Sequence, residues 1–144
     1  MSNHPGEAQR PTDGRNSNGK KVRVGIVGCG EAAQILHWPS LYQVADLYEV
    51  TALCDVSPFV LEILGGLWNV DILTADHREL VARSDVDAVL VSNPNAFHSE
   101  VTLAALAVAF LRSRSEAQHS GPATARGNEP KFAILPQPSQ GRPT

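Results

Sequence analysis

Two glycines, an alanine and an acid are the residues whose spacing points most directly to chemistry. Within VGIVGCGEAA (24–33), Gly28, Gly30 and Ala33 follow a G-x-G-x-x-(G/A) pattern directly after an apolar run, and Asp55 stands 22 residues beyond Ala33. A pyrophosphate needs backbone N–H groups aimed at it with no side chains in the way. A strand that enters a helix through two glycines supplies this: the first permits the tight turn and the second admits the phosphate. The helix start at Glu31 and Ala32 offers unpaired donors and a favourable dipole, while Ala33 lets the helix pack closely on a sheet. An acid at the end of the following strand accepts hydrogen bonds from ribose hydroxyls and repels a 2′-phosphate, which favours NAD over NADP. The alternative is purely architectural, with the glycines making a tight turn and Asp55 capping the next helix or turn.

The elements that must position these residues are legible in the surrounding pattern. KVRVGIVG (21–28) saturates in Val and Ile, as a strand buried on both faces of a parallel sheet does. Residues 31–44 carry a helical apolar period, which Pro39 is expected to bend or interrupt. EVTALCD (49–55) is the second strand. The segment 57–68 opens with Ser57 as N-cap and Pro58 in the first turn, and Gly65 and Gly66 suit its end. VDILT marks a third strand, Asp76 to Arg83 a short helix capped by Asp76, and Val86 to Ser92 a fourth strand closed by Asn93-Pro94-Asn95. An Ala- and Leu-rich helix is expected from His98 to about Arg112. Four alternations of strand and helix predict an α/β fold, a Rossmann-like doubly wound parallel sheet, incomplete at about four strands.

The flanks read differently. Residues 1–20 are expected to form a disordered arm, 21–112 a partial NAD(P)-binding domain, and 113–144, with five prolines, a disordered tail in which FAIL (132–135) is the one short apolar cluster. Lys and Arg number three against two acids in 1–20, four against eleven in 21–111, and five against two in 112–144. An acidic core with a diffuse basic tail offers no cationic face for a nucleic-acid backbone, so no nucleic-acid partner is expected. No apolar run approaches the ~20 residues that span a bilayer, and the N-terminus lacks a signal peptide's apolar region, so no membrane partner is expected and the location reads as cytoplasmic. Cys29 and Cys54 lack ligand spacing: the first reads as a small filler of the turn, the second as a buried strand residue, and no metal site is expected.

With VRVGIVGCGEAAQILHWPSL, VTALCDVSP and ELVARSDVDAVLVSNPNAFHSEVTLAAL in order, the chain resembles the N-terminal domain of the Gfo/Idh/MocA oxidoreductases over about residues 21–106. The resemblance implies that Ser92, Asn93, Pro94, Asn95 and His98 line the cofactor site, the last four toward the nicotinamide end. His98 would hydrogen-bond the cofactor or a neighbouring backbone group, or simply cap and pack at its helix start. His37 and Trp38 would pack between helix and sheet. It further implies oxidoreduction of sugar or polyol CH–OH groups.

After TLAALA the pattern departs. The family's Gly-Lys-His-type turn, fifth strand and Glu-Lys-Pro motif are not matched, nor is its substrate domain, so no catalytic residue is assigned. The abrupt change suggests a truncated product, from a frameshift, retained intron or alternative 3′ end. In the strand order 3-2-1-4-5-6, a sheet ending at strand four leaves that strand as an exposed edge, open to self-association. Three readings stand side by side: a cofactor-binding fragment without catalytic competence, a non-enzymatic binding or regulatory module, or a remnant with no stable function.

Overall fold

The computed structural model describes residues 19–119. Its centre is β1 (Val22–Val27), which pairs in parallel with β2 (Tyr48–Cys54) on one side and β4 (Ala88–Val91) on the other. β3 (Ile72–Thr74) pairs in parallel with β2, giving the order β3-β2-β1-β4. The fold is the expected Rossmann-like, doubly wound sheet of four strands.

The run of β-branched residues in β1 has its cause in burial on both faces. Val24 and Ile26 pack with Leu53, Leu90 and, from α2 (Pro58–Trp68), Leu61 and Leu64. Val27 points the other way, into a second core with Ala52, Val89 and Val91. That core is closed by Leu80 of α3 (His77–Ala82) and Val101 of α4 (His98–His119). Ile26 and Leu53 are fully buried. Each such side chain contributes about 1.5–3 kcal/mol relative to exposure.

Several helix boundaries differ from the sequence reading, each for a local reason. Glu31 and Ala32 are already helical, but Ala33–His37 forms a π-turn before α1 (Trp38–Gln43). Pro39 lies at the start of α1; the wide turn, with Trp38 N–H donating to the Ala33 carbonyl, is where the ladder accommodates a ring that would clash with a regular turn. The expected interruption is thus a change of helical pitch. Gly65 and Gly66 do not end α2. They lie inside it, and Asn69 at φ 54° stops the helix instead, in the left-handed conformation that asparagine tolerates. Gly65 is buried beneath Leu73 of β3.

A short 3₁₀ turn (Asn95–Phe97) leads into α4, which continues through His119, past the boundary expected at Arg112. Residues 113–119 therefore belong to a helix, contrary to the disorder expected from residue 113. The rest of the expected tail, including FAIL, lies outside the described residues, as do residues 1–18 of the expected arm. Among the described residues β4 pairs with β1 alone, leaving its other side free. No described helix is long and apolar enough to cross a membrane.

Candidate functional site

β1 ends where β2 and β4 also end, so their three carboxyl ends meet at the glycine turn. Gly28 N–H donates to the Cys54 carbonyl at 2.8 Å, and Ser92 N–H donates to the Val27 carbonyl at 2.7 Å. This fixes Gly28 against the β4 exit with φ +92°; a Cβ there would lie 2.3 Å from the Asn93 nitrogen. Only glycine fits both the backbone conformation and the close approach. Gly30 is the opposite case: a Cβ would meet nothing within 4 Å, and its surroundings are open.

Asp55 is tied into the turn. Its Oδ2 accepts the Cys29 N–H at 2.8 Å and its Oδ1 accepts the Ser57 N–H at 2.9 Å, so one carboxylate joins the glycine turn to the start of α2. A carboxylate has about four lone-pair sites, so each oxygen retains one for a further donor. The architectural and ligand-binding readings of Asp55 are therefore compatible. Gln34 Nε2 donates to the Cys29 carbonyl at 2.9 Å, and Ala33 is fully buried, which brings the helix onto the sheet.

Beside this turn lies a cleft of about 230 Å³ whose lining includes Gly28, Asp55, His77, Asn93, Pro94 and Glu100. Asn93 and Pro94, which the resemblance sends to the nicotinamide end, share this cleft with the ribose-type acid. Among the described residues, buried Ser92 Oγ, Asn93 Oδ1 and His77 Nε2 have no hydrogen-bond partner. Such groups cost free energy unless something polar reaches them. Asn95 is exposed in the 3₁₀ turn and lies off the cleft wall. The His98 ring hydrogen-bonds the Asn93 carbonyl through Nε2, which must carry the proton, so of its expected roles the structure contains the contact to a backbone group.

His77 and Glu100 carry no signal of their own in the sequence. His77 merely follows the Asp76 cap, and Glu100 sits in the first turn of α4; packing of α3 against α4 brings them together. A second cleft of similar size surrounds Trp38, Tyr48 and Trp68, the two indoles stacked 4.3 Å apart. It includes Lys21 and Tyr48, which lie at the amino ends of β1 and β2, away from the glycine turn. His37 is half-buried, and burial pushes its imidazole down from the ordinary value.

The two cysteines are free and buried. Burial pushes the Cys29 thiol up to about 12 and Cys54 up to about 11, with the Asp55 charge adding to both. Neither is a nucleophile at neutral pH. No group of three or more potential metal ligands occurs among the described residues.

A glycine turn with an open second position, an acid at the end of β2 and a cleft at the sheet's switch point define a dinucleotide-binding α/β domain. The chain belongs to the Gfo/Idh/MocA oxidoreductase family: the model described as "Oxidoreductase family, NAD-binding Rossmann fold" matches residues 22–109. YrbE, an uncharacterized oxidoreductase of Bacillus subtilis (strain 168), is 23% identical over 82 residues, covering 57% of this chain and 24% of that protein. Scyllo-inositol dehydrogenase from Lactobacillus casei, solved with NAD(H) and scyllo-inositol, is 27% identical with a TM-score of 0.57, covering 62% of this chain and 26% of its own. A variant of KijD10, a 3-ketoreductase from Actinomadura kijaniata solved with TDP-benzene and NADP, is 29% identical with a TM-score of 0.56, covering 62% and 28%. The chain thus spans about a quarter of the length of these relatives.

Proposed function

We propose that residues 21–112 form a dinucleotide-binding domain that takes NAD in preference to NADP, and that this chain by itself does not transfer hydride. The observation that carries the reading is the pairing of Gly30, open on its Cβ side, with a carboxylate that keeps two lone pairs free in the adjoining cleft. The pyrophosphate lies over Gly30 against the backbone N–H groups of Glu31 and Ala32, where an anion is favoured by the helix start. Asp55 accepts the adenosine ribose hydroxyls and disfavours a 2′-phosphate. Asn93, Pro94 and buried Ser92 form the β4 side of the pocket, with Asn95 and His98 behind them.

A bound nicotinamide would supply hydride chemistry of the kind used on sugar or polyol CH–OH groups. That step also needs a substrate carbon held at the ring and an acid or base within reach of its hydroxyl proton. The lysines among the described residues are Lys20 and Lys21, and Lys21 lines the other cleft. Two buried free thiols suit a reducing, cytoplasmic setting, and the free side of β4 is the route by which copies associate.

The test is thermal unfolding of the purified chain with NAD or NADP, read by Trp38 and Trp68 fluorescence. Ligand at 100 times its Kd stabilises a folded receptor by about 2.7 kcal/mol, which raises the midpoint of a domain this size by roughly 10–20 °C. An upward shift with NAD and a smaller one with NADP at equal concentration supports the reading. A cooperative melt that neither cofactor moves refutes it.

A further inference from the structure

One flank of the sheet ends on a strand that is apolar and unguarded. Among the described residues β4 pairs with β1 alone, and Ala88–Val91 holds no charge, proline or bulge of the kind that blunts an edge. Its side chains are already committed: Val89 and Val91 lie in the α3–α4 core and Leu90 in the other, so what the edge lacks is backbone partners.

α4 runs beside this edge and turns an apolar flank the same way. Val101, Ala105 and Ala109 form its buried line, and Glu100, one residue before that line, reaches α3 through Arg78. Leu106 and Phe110 each follow a buried alanine by one residue, so at about 100° per residue they lie on the flank opposite Glu100, with Leu103 beside them. α3 sits toward the middle of the sheet, where Leu80 covers Gly25 of β1, so the opposite flank of α4 faces the open side of β4. Leu103, Leu106 and Phe110 are 66%, 47% and 64% exposed, and α4 carries no charged residue from Val101 to Leu111. A contiguous apolar patch on the order of a few hundred Å² marks an interaction site.

The helix and the edge share a midpoint. The His98 ring bonds the Asn93 carbonyl beyond one end of β4, and Arg112 bonds the Val86 carbonyl before the other. Leu106 therefore stands level with the centre of β4, near Val89 and Leu90. A two-fold axis through that centre, perpendicular to the sheet, sets β4 antiparallel to its copy and keeps both α4 helices on one face. The same operation sets Leu106 against Leu106, and Phe110 against Thr102 and Leu103 of the second copy. A strand edge offers both N–H and C=O groups and is its own complement, so an identical chain satisfies edge and helix in one step.

We propose that the β4 edge and the flank of α4 bearing Leu103, Leu106 and Phe110 form one docking surface whose occupant is a second copy of this chain, joined by that two-fold into a continuous sheet. The proposal rests on the reading that copies associate along β4 and deepens it, naming the helix that takes part, the orientation and the closure at two. The helix flank adds the area that a four-residue edge lacks, toward the about 800 Å² per partner of a standard stable interface. Both glycine turns stay open, at opposite ends of the joined sheet.

Sedimentation equilibrium of the full chain at rising concentration is expected to give a monomer–dimer equilibrium with a Kd in the micromolar range and no larger species. Phe110→Glu places a charge in the apolar seam and is expected to weaken the dimer about 30-fold or more, with its melting midpoint unchanged at concentrations where the parent is monomeric. Leu106→Cys is expected to give a disulfide-linked dimer on mild oxidation, whereas Leu67→Cys, on the exposed face of α2, is not; buried Cys29 and Cys54 stay out of the reaction. A dimer that Phe110→Glu does not weaken, or in which Leu106→Cys links no faster than Leu67→Cys, overturns the α4 seam and leaves association along β4 standing. Open-ended growth beyond two copies overturns the two-fold. A chain monomeric throughout overturns both the dimer and association along β4, and leaves the edge to a segment of the same chain or to a different protein.

Discussion

The two glycines of the turn are expected to fail in opposite ways when given a methyl group. At Gly28 an alanine inherits φ +92° and a Cβ 2.3–2.5 Å from Asn93 and Ser92 backbone atoms, which no side-chain rotation relieves. Backbone strain at such a conformation costs about 1–3 kcal/mol. Forcing β4 away from the turn costs about a further 1–3 kcal/mol, the usual range for overpacking. A loss of roughly 2–6 kcal/mol is a large part of the stability of a domain this size and lowers its midpoint by about 8–48 °C. At Gly30 the added methyl meets nothing, and φ is not positive, so stability changes by less than about 0.5 kcal/mol. What Gly30→Ala loses is the phosphate approach, and with it the midpoint rise on adding NAD. Thermal melts of the three proteins with and without NAD separate the effects. A Gly28→Ala protein that melts within about 2 °C of the parent refutes the clash argument. A Gly30→Ala protein that keeps the full ligand shift refutes the placement of the phosphate.

Three further outcomes are expected. Asp55→Ala strands the Cys29 and Ser57 N–H groups and lowers stability by about 2–3 kcal/mol without any ligand, measurable by urea unfolding; an unchanged urea midpoint contradicts the stitching role. Cys29 and Cys54 remain unreactive toward a thiol reagent at pH 8 in the folded protein and react together once denatured, whereas rapid native labelling contradicts their burial. The Arg23 guanidinium, bonded to both Asp87 oxygens, holds that carboxyl below the ordinary carboxylate value. Its stabilisation is therefore complete above about pH 4 and is lost as pH falls through the folded-state value. At this partial exposure it amounts to about 1 kcal/mol, and Asp87→Asn is expected to remove that part of the acid dependence in melts from pH 7 to 3.

The sheet and the glycine turn were legible in the sequence because burial on both faces forces β1 into unbroken Val and Ile, and because the turn needs glycine at Gly28 for steric reasons alone. Helix ends were harder to read. Gly65 and Gly66 look like a stop, yet Gly65 is small because Leu73 lies over it, and a lone Asn69 does the stopping. The π-turn before Pro39 has no compositional sign beyond the proline. α4 runs past Arg112 because no proline or glycine occurs before Gly121, so nothing local opposes helix between. His77 and Glu100 escaped notice because their proximity depends on α3 meeting α4, a tertiary fact that no spacing encodes.

The double attachment of Asp55 changes how tolerance to substitution should be interpreted at this site. A selection for folded protein alone, with no cofactor anywhere in the assay, would reject most replacements of Asp55, since the turn and α2 both hang on its oxygens. Intolerance at position 55 would therefore mimic a signature of ligand use while reporting only on foldedness. Gly30, with no neighbour to offend, is the position where rejection of a substituent speaks for the ligand by itself.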